Sequence, residues 1–198
     1  MSTDSVPRWF TEHGEGHAQW YVERFRAMAA SGADLAGEAR LVDALVEPAS
    51  RILDAGCGPG RVGAALFARG HTVVGVDVDP ELIAAAQADH PGPRWVVEDL
   101  SGFALDEQPF DAAVVAGNVL AFVAVGTEAA VLSQIAAHVR TDGVVAVGFG
   151  TDRGYALADF DTHCAIAGLR LEHRFATWGL RPWREDADFA VTVLRKAD

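Results

Sequence analysis

Short apolar segments alternate with helical patterns of apolar residues along most of the chain after position 50. This order is typical of a parallel sheet covered by helices on both faces. The first five predicted strands are apolar on both faces, as buried parallel strands are, whereas the sixth carries charges and is expected near an edge. The seven predicted strands cover residues 52–55, 72–77, 94–97, 112–116, 144–149, 171–177 and 189–194.

Capping residues and prolines mark the helices between these strands. Asp79 and Pro80 are an N-cap and a first-turn proline, and Thr127 is predicted to cap a later helix. The predicted helices cover residues 17–30, 33–45, 61–69, 81–88, 127–139 and about 157–168. Because no linker or repeat divides the chain, we expect one domain over residues 1–198, in which residues 1–46 form a helical cap over the ligand site.

A glycine-rich turn joins the first predicted strand to the next helix, with the sequence Asp-Ala-Gly-Cys-Gly-Pro-Gly at positions 54–60. Its glycines allow the backbone to adopt positive φ and allow a ligand to approach without intervening Cβ atoms. Ligands of open parallel sheets bind beyond the carboxyl ends of the strands. The turn therefore predicts one wall of a ligand site.

Two acidic residues follow the next two strands and suggest a nucleoside ligand. Asp77 ends the second strand, where a carboxylate can accept hydrogen bonds from both ribose hydroxyls. Asp99 follows the third strand and can accept from the amine of an adenine, with Val78 and Leu100 on either side of the ring. Each feature alone is also expected of a simple turn or a helix cap. Their occurrence at three successive strand ends favours one binding site.

The spacing of Gly58, Gly60 and Gly63 also fits the dinucleotide pattern G-x-G-x-x-G, which predicts an NAD(P)-dependent oxidoreductase as an alternative. In that pattern the first glycine normally follows the strand directly, whereas here Asp54 lies in the turn. A carboxylate at this place repels a pyrophosphate and attracts a cationic ligand.

The complete set of motifs resembles the class I S-adenosylmethionine-dependent methyltransferases. The resemblance covers roughly residues 41–149 and rests on the segments 53–61, 75–80, 98–100 and 110–115. It implies a three-layer, Rossmann-like α/β fold with a seven-stranded, mostly parallel sheet in the order 3-2-1-4-5-7-6, in which the seventh strand is antiparallel. It also implies S-adenosylmethionine as the cofactor.

The resemblance also implies roles for individual residues. The turn residues are expected near the methionine part of the cofactor, Asp77 at the ribose, and Asp99 with Leu100 at the adenine. Asn118, in a Gly-Asn pair after the fourth strand, is expected on the methionine side near the acceptor. The predicted cofactor contacts are Asp54, Gly56, Cys57, Gly58, Gly60, Asp77, Val78, Asp99, Leu100 and Asn118.

A catalytic base is not evident from the sequence. Many small-molecule members of the family have a histidine just after the fourth strand, where this chain has Ala121 and Phe122. The candidates are His17, Tyr21 and Asn118, and Tyr21 is better explained as a residue that packs its helix on the domain. This absence leaves a non-catalytic module that binds S-adenosylmethionine as a second alternative.

The net charge of the chain limits the partners that it is expected to bind, and its cysteine content bears on metal binding and cellular compartment. The 28 acidic and 16 basic residues give a net charge of −12, which disfavours nucleic acids and anionic membranes. No 18-residue apolar segment or signal peptide is present in the sequence, and Cys57 and Cys164 form no disulfide framework or metal cluster. These features lead us to expect a cytoplasmic protein without a metal, and the resemblance implies that it methylates a small molecule by in-line transfer.

A late hairpin with Trp178 and Trp183 leaves two interpretations open. It suits an acceptor pocket, and it equally suits a packing or dimer surface, because Trp and Arg are common in interfaces. A homodimer is therefore a further expectation.

Overall fold

A seven-stranded sheet lies at the centre of the chain. The structure is a computed structural model that describes residues 6–106 and 108–197, so residues 1–5, Glu107 and Asp198 of the predicted domain and cap lie outside the described residues. The strands are β1 (Arg51–Ala55), β2 (Thr72–Asp77), β3 (Arg94–Val97), β4 (Phe110–Val115), β5 (Val139–Gly150), β6 (Leu169–Phe175) and β7 (Phe189–Lys196).

Eight helices accompany the strands in the described ranges. They are α1 (Arg8–Thr11), α2 (His17–Ala30), α3 (Gly37–Leu45), α4 (Arg61–Phe67), α5 (Pro80–Asp89), α6 (Val119–Phe122), α7 (Glu128–His138) and α8 (Leu157–Ile166). In the part of the chain that the structure describes, none of these helices combines the length and the apolar character needed to cross a membrane.

The strand order is β3-β2-β1-β4-β5-β7-β6, as predicted. Strands β1 to β5 pair in parallel, and β7 runs antiparallel between β5 and β6. The chain continues from β1 to β2 on one side and later returns to β4 on the other, so the order reverses at β1. A crevice for a ligand is expected at the carboxyl ends of these strands, and the predicted fold class is confirmed.

Alternating side chains of the sheet form a core on each face. In β1, Ile52 packs with residues of α3 and α4, whereas its neighbour Leu53 packs with residues of α7 and α8 on the other face. Ala39 and Val42 of α3 are fully buried in the first of these cores. Helix α3 therefore belongs to a helical layer of the domain, although the predicted cap included it.

Several predicted boundaries differ from the structure by a few residues, among them β6, which covers 169–175 instead of 171–177. Strand β5 begins at Val139 because this residue pairs with Phe110 before the register shifts. Thr127 occupies the N-cap position of α7 as predicted, but its hydroxyl donates to the carbonyl of Ala124 at 2.7 Å and makes no capping hydrogen bond to α7. Helices α1 and α6 have only four residues each, too few to show a helical period in the sequence.

Candidate functional site

The glycine-rich turn is fastened to the end of β2. The N–H groups of Gly56 and Cys57 both donate to the carbonyl of Val76, at 2.8 and 3.0 Å. The next N–H, of Gly58, donates to Oδ2 of Asp77 at 2.8 Å. Gly56 and Gly58 have φ values of 75° and 53°, a region that favours glycine. These bonds hold the turn and Asp77 together at one edge of the sheet.

The glycines of the apparent dinucleotide pattern make room for a tryptophan. A Cβ atom on Gly60 or Gly63 would lie 2.8 or 2.9 Å from Cη2 of Trp95, and one on Gly75 would lie 2.3 Å from its Cε3. Packing against this indole explains the spacing of Gly60 and Gly63 without a pyrophosphate. Gly60 lines neither of the two cavities described below, so the structure does not bring this predicted cofactor contact to them.

A cavity with about 630 Å³ of empty space opens over the carboxyl ends of β1, β2 and β4. Six of the predicted cofactor contacts line it, and helices α1, α2, α5 and α6 contribute further side chains. The lining residues are Pro7, Trp9, Tyr21, Gly56, Gly58, Asp77, Val78, Leu82, Asp99, Leu100, Ala116, Gly117, Val119, Phe122 and Val123.

Asp77 provides a buried carboxylate in this wall. It is 9% exposed, and its Oδ1 accepts from the N–H of Asp79 at 3.0 Å while its Oδ2 accepts from Gly58. Burial raises the pKa of Asp77 to about 6. Each carboxylate oxygen can accept a second hydrogen bond, so Asp77 retains acceptor capacity for two hydroxyl groups.

Asp99 and Leu100 lie on the same wall. Oδ1 of Asp99 accepts from the N–H of Ser101 at 2.8 Å, and Leu100 is 6% exposed. Phe103 anchors the loop that follows, because its ring stacks on His138 at 4.2 Å and is 1% exposed. The loop thus holds an acceptor and an apolar surface beside Val78, which suits a flat, hydrogen-bonding ring.

A smaller cavity, with about 340 Å³ of empty space, adjoins the first. Asp54 lies in its wall, is 1% exposed and accepts from the N–H of Gly63 at 2.8 Å. Burial raises the pKa of Asp54 to about 7. Arg61 also lines this cavity, but its guanidinium is committed to Glu38, with N–O distances of 2.8 and 2.7 Å.

Cys57 contributes to the turn through its backbone. Its side chain is 7% exposed and packs with Ile83, Ala86 and Trp95. Burial raises the pKa of the Cys57 thiol well above its ordinary value. The thiol is therefore protonated at neutral pH and unsuited to act as a nucleophile.

Tyr21 of α2 lies between the two cavities and lines both. Burial raises the pKa of its phenol above 10. The hydroxyl is therefore protonated at neutral pH, so Tyr21 can donate a hydrogen bond but is a poor proton acceptor.

His17 and Asn118 lie outside the lining of both cavities. The His17 ring stacks on His13 at 3.7 Å, and burial, followed by the neighbouring His13, lowers its pKa. Asn118 has a φ of 64°, and its Oδ1 accepts from the N–H of Gly150 at 2.7 Å. Its side chain thus ties the start of α6 to the end of β5. His17 has a suitable protonation state for a base but not the position, whereas Tyr21 has the position but not the protonation state.

The late hairpin packs on the sheet, away from both cavities. A Cβ atom on Gly148 would lie 2.3 Å from Cζ2 of Trp178, which shows close contact with the indole. Trp183 lies beneath the guanidinium of Arg174 at 5.8 Å. Neither tryptophan lines a described cavity, so the structure favours packing over an acceptor pocket, and the homodimer stays a prediction.

The sequence did not reveal the outer walls of the larger cavity. Trp9 comes from α1, and Phe122 comes from α6, the two four-residue helices without a periodic pattern. Trp9 contacts Phe122, His17 and Tyr21 with ring-centroid distances of 6.1, 4.9 and 5.6 Å. The only signal in the sequence was an aromatic residue shortly before a predicted helix, and aromatic residues at such positions commonly serve packing alone.

A family model and solved structures that resemble this chain all describe methyltransferases. A family model described as a methyltransferase domain matches residues 52–143. The chain is 43% identical to a TehB-like SAM-dependent methyltransferase from Corynebacterium glutamicum, with a TM-score of 0.88 over 92% of this chain and 100% of that one. No protein with a curated description matches significantly.

Two more distant structures share the fold and were solved with ligands. CalS10, an amino pentose methyltransferase from Micromonospora echinaspora bound to SAM, is 19% identical, with a TM-score of 0.70 over 93% of this chain and 100% of that one. NodS, an N-methyltransferase from Bradyrhizobium japonicum in complex with S-adenosyl-L-homocysteine, is 19% identical, with a TM-score of 0.65 over 81% of this chain and 86% of that one.

Proposed function

Because this chain belongs to the S-adenosylmethionine-dependent methyltransferases, we propose that it methylates a small molecule held beside the larger cavity. The observation that carries this proposal is the cavity at the strand ends, which is lined by two carboxylates, apolar side chains and the aromatic side chains of Trp9, Tyr21 and Phe122. S-adenosylmethionine, when bound, supplies a methyl group on a positively charged sulfur, which already carries the activation for in-line displacement.

The residues of the cavity suit this cofactor. Asp77 has acceptor capacity for two ribose hydroxyls, and Asp99 has a carboxylate oxygen for an adenine amine beside Leu100. The residues that line the larger cavity, all of them described, include two acidic and no basic side chains. This charge suits a sulfonium and disfavours the pyrophosphate of a dinucleotide.

The smaller cavity extends the same proposal. It shares Tyr21, Gly56 and Gly58 with the larger one, and its acidic residue is Asp54. We assign this cavity to the amino-acid end of the cofactor, where Asp54 would face a positively charged amine. The phenol of Tyr21 would then stand at the junction between the two parts.

The site suits catalysis by alignment of the cofactor and the acceptor rather than by a strong general base. Holding two reacting groups at about 3 to 3.5 Å in the correct orientation contributes several kcal/mol by itself. Tyr21 is protonated, and His17 and Asn118 do not line the cavities. The protein therefore binds and orients its ligands, while the acceptor brings a nucleophile that loses its proton to solvent.

A small molecule is the acceptor class that the charge of the chain favours. The net charge of −12 opposes binding to nucleic acids, and the relative CalS10 of the same fold acts on an amino pentose. Cys57 and Cys164 are both free and buried, which supports a place in the reducing cytoplasm.

Calorimetry and a product assay test the proposal. We expect S-adenosylmethionine and S-adenosylhomocysteine to bind and NADH not to bind; binding of NADH alone would overturn the assignment. Mass spectrometry over a panel of amines, phenols and carboxylic acids then detects acceptors that gain about 14 mass units, the mass of a methylene group. Tight cofactor binding without any methylated product over a broad panel would favour a non-catalytic binding module.

A further inference from the structure

Trp9 connects the short helix α1 to the acidic end of β2. Its indole Nε1–H donates to Oδ2 of Asp79 at 2.7 Å. Asp79 is 5% exposed, and its other oxygen, Oδ1, accepts from the N–H of Glu81 at 2.8 Å as the N-cap of α5. Asp79 therefore serves two partners at once, although the sequence indicated only the cap.

The same aspartate lies next to the proposed ribose contact. The backbone N–H of Asp79 donates to Oδ1 of Asp77 at 3.0 Å. A continuous chain of hydrogen bonds thus runs from the Trp9 indole through Asp79 to Asp77. The position of α1 and the geometry of the cofactor carboxylate are coupled through this one residue.

Helix α1 is attached to the domain mainly through Trp9, whose ring also packs against Phe122, His17 and Tyr21. None of its four residues, all of them described, is fully buried. A backbone bond from the N–H of Arg8 to the carbonyl of Val123 is long, at 3.4 Å. Pro7 and Trp9 line the larger cavity together with Asp77 and Asp99. A ligand in this cavity therefore contacts both the strand ends and the segment that carries α1.

From this arrangement we infer that Trp9 is a positioning residue for the cofactor, and that its bond to Asp79 is a latch that holds the segment 7–13 over the bound cofactor. The inference rests on the proposed function, because it concerns the same cavity. When the latch opens, the segment moves away and the cofactor product leaves. The strength of the Trp9–Asp79 bond then governs how long the product stays bound.

Two conservative variants break the latch while preserving their other contacts. Asp79→Asn remains a good N-cap, but Glu81 and Trp9 bond to different oxygens of Asp79, and in asparagine one of these two positions is an NH2 group that cannot accept. Trp9→Phe keeps an aromatic ring toward the cavity but has no N–H to donate. A hydrogen bond to a charged group corresponds to roughly a tenfold change in a rate or an equilibrium constant.

The test measures release of radiolabelled S-adenosylhomocysteine from the full chain after a chase with unlabelled ligand. We expect each variant to release it roughly tenfold faster than the wild type, and the double variant no faster than either one, because both remove the same bond. Trp20→Phe and Asp89→Asn are the matched controls, since both residues lie outside the cavity lining, and their rates should not change.

A second measurement separates a latch from a general loss of structure. Hydrogen exchange of the segment 7–13 in the ligand-free protein should accelerate in Asp79→Asn, while the unfolding temperature stays near that of the wild type. Wild-type release rates in both variants, multiplicative rates in the double variant, or unchanged exchange of the segment would each overturn the latch. A wild-type protein that binds no S-adenosylhomocysteine would instead overturn the proposed function.

Discussion

Replacing Asp54 with asparagine should stabilise the ligand-free protein while weakening its hold on S-adenosylmethionine. Asp54 is 1% exposed, and its Oδ2 accepts one hydrogen bond, from Gly63. An asparagine oxygen can accept the same bond, so the substitution removes the charge and little else. The cost of burying that charge disappears with it.

The pKa of Asp54 sets the size of this effect. A rise from 3.8 to about 7 corresponds to about 4 kcal/mol of cost to the ionised folded state, at ~1.36 kcal/mol for each pH unit. Because the folded-state pKa lies above the unfolded one, stability from this group is highest below about pH 4 and declines as the pH rises to about 7. The advantage of the asparagine variant should therefore grow by about 2 to 3 kcal/mol between pH 5 and pH 8.

Urea unfolding of both proteins at pH 5 and pH 8 measures this difference directly. Asp111→Asn is a control of opposite sign: burial raises the pKa of Asp111, but the N–H of Arg51 and the guanidinium of Arg140 outweigh it and lower the pKa overall. That variant should lose stability at pH 8. An Asp54→Asn protein that is less stable than the wild type at pH 8 would refute the reasoning.

Three further predictions concern the cofactor site and the packing of Trp95 beneath it. Asp77→Ala should weaken S-adenosylhomocysteine binding in calorimetry by about 1 to 3 kcal/mol, because the two ribose hydroxyls lose their acceptor. An unchanged dissociation constant would show that Asp77 only stabilises the turn and does not bind the cofactor. Gly75→Ala should destabilise the fold by about 1 to 3 kcal/mol, since its Cβ would lie 2.3 Å from Trp95; Gly102→Ala, with nothing within 4 Å, should be nearly neutral in the same melts. Affinity for S-adenosylmethionine should rise from pH 5 to pH 8 more than affinity for S-adenosylhomocysteine. The reason is that Asp54 and Asp77, with pKa values raised to about 7 and about 6, ionise in that range and attract the sulfonium. Equal pH profiles for the two ligands would contradict this prediction.

The sequence predicted the sheet well because each strand has a local signature. Apolar segments identified the strands, and the spacing of turns and acids identified which strand ends meet. Asp77 and Asp99 were predicted to lie side by side at neighbouring strand ends, and both line the same cavity. Parallel pairing makes this kind of prediction dependable, because strands that end at similar positions bring their tips to one edge.

The walls contributed by short elements could not be predicted in the same way. Trp9 and Phe122 come from helices of four residues, whose position depends on tertiary contacts rather than on a period in the sequence. The role of Trp95 was hidden for a related reason: Gly60 and Gly63, which accommodate it, are distant in the sequence and show the same spacing as a ligand-binding pattern. Asp79 has two roles, and only the local one was visible.

A crystal structure of the chain with S-adenosylhomocysteine tests the central claim most directly. The account predicts the ribose hydroxyls on Asp77, the adenine between Val78 and Leu100, and the amino-acid end beside Asp54 in the smaller cavity. A ligand bound elsewhere on the chain, or one whose ribose lies away from Asp77, would contradict it.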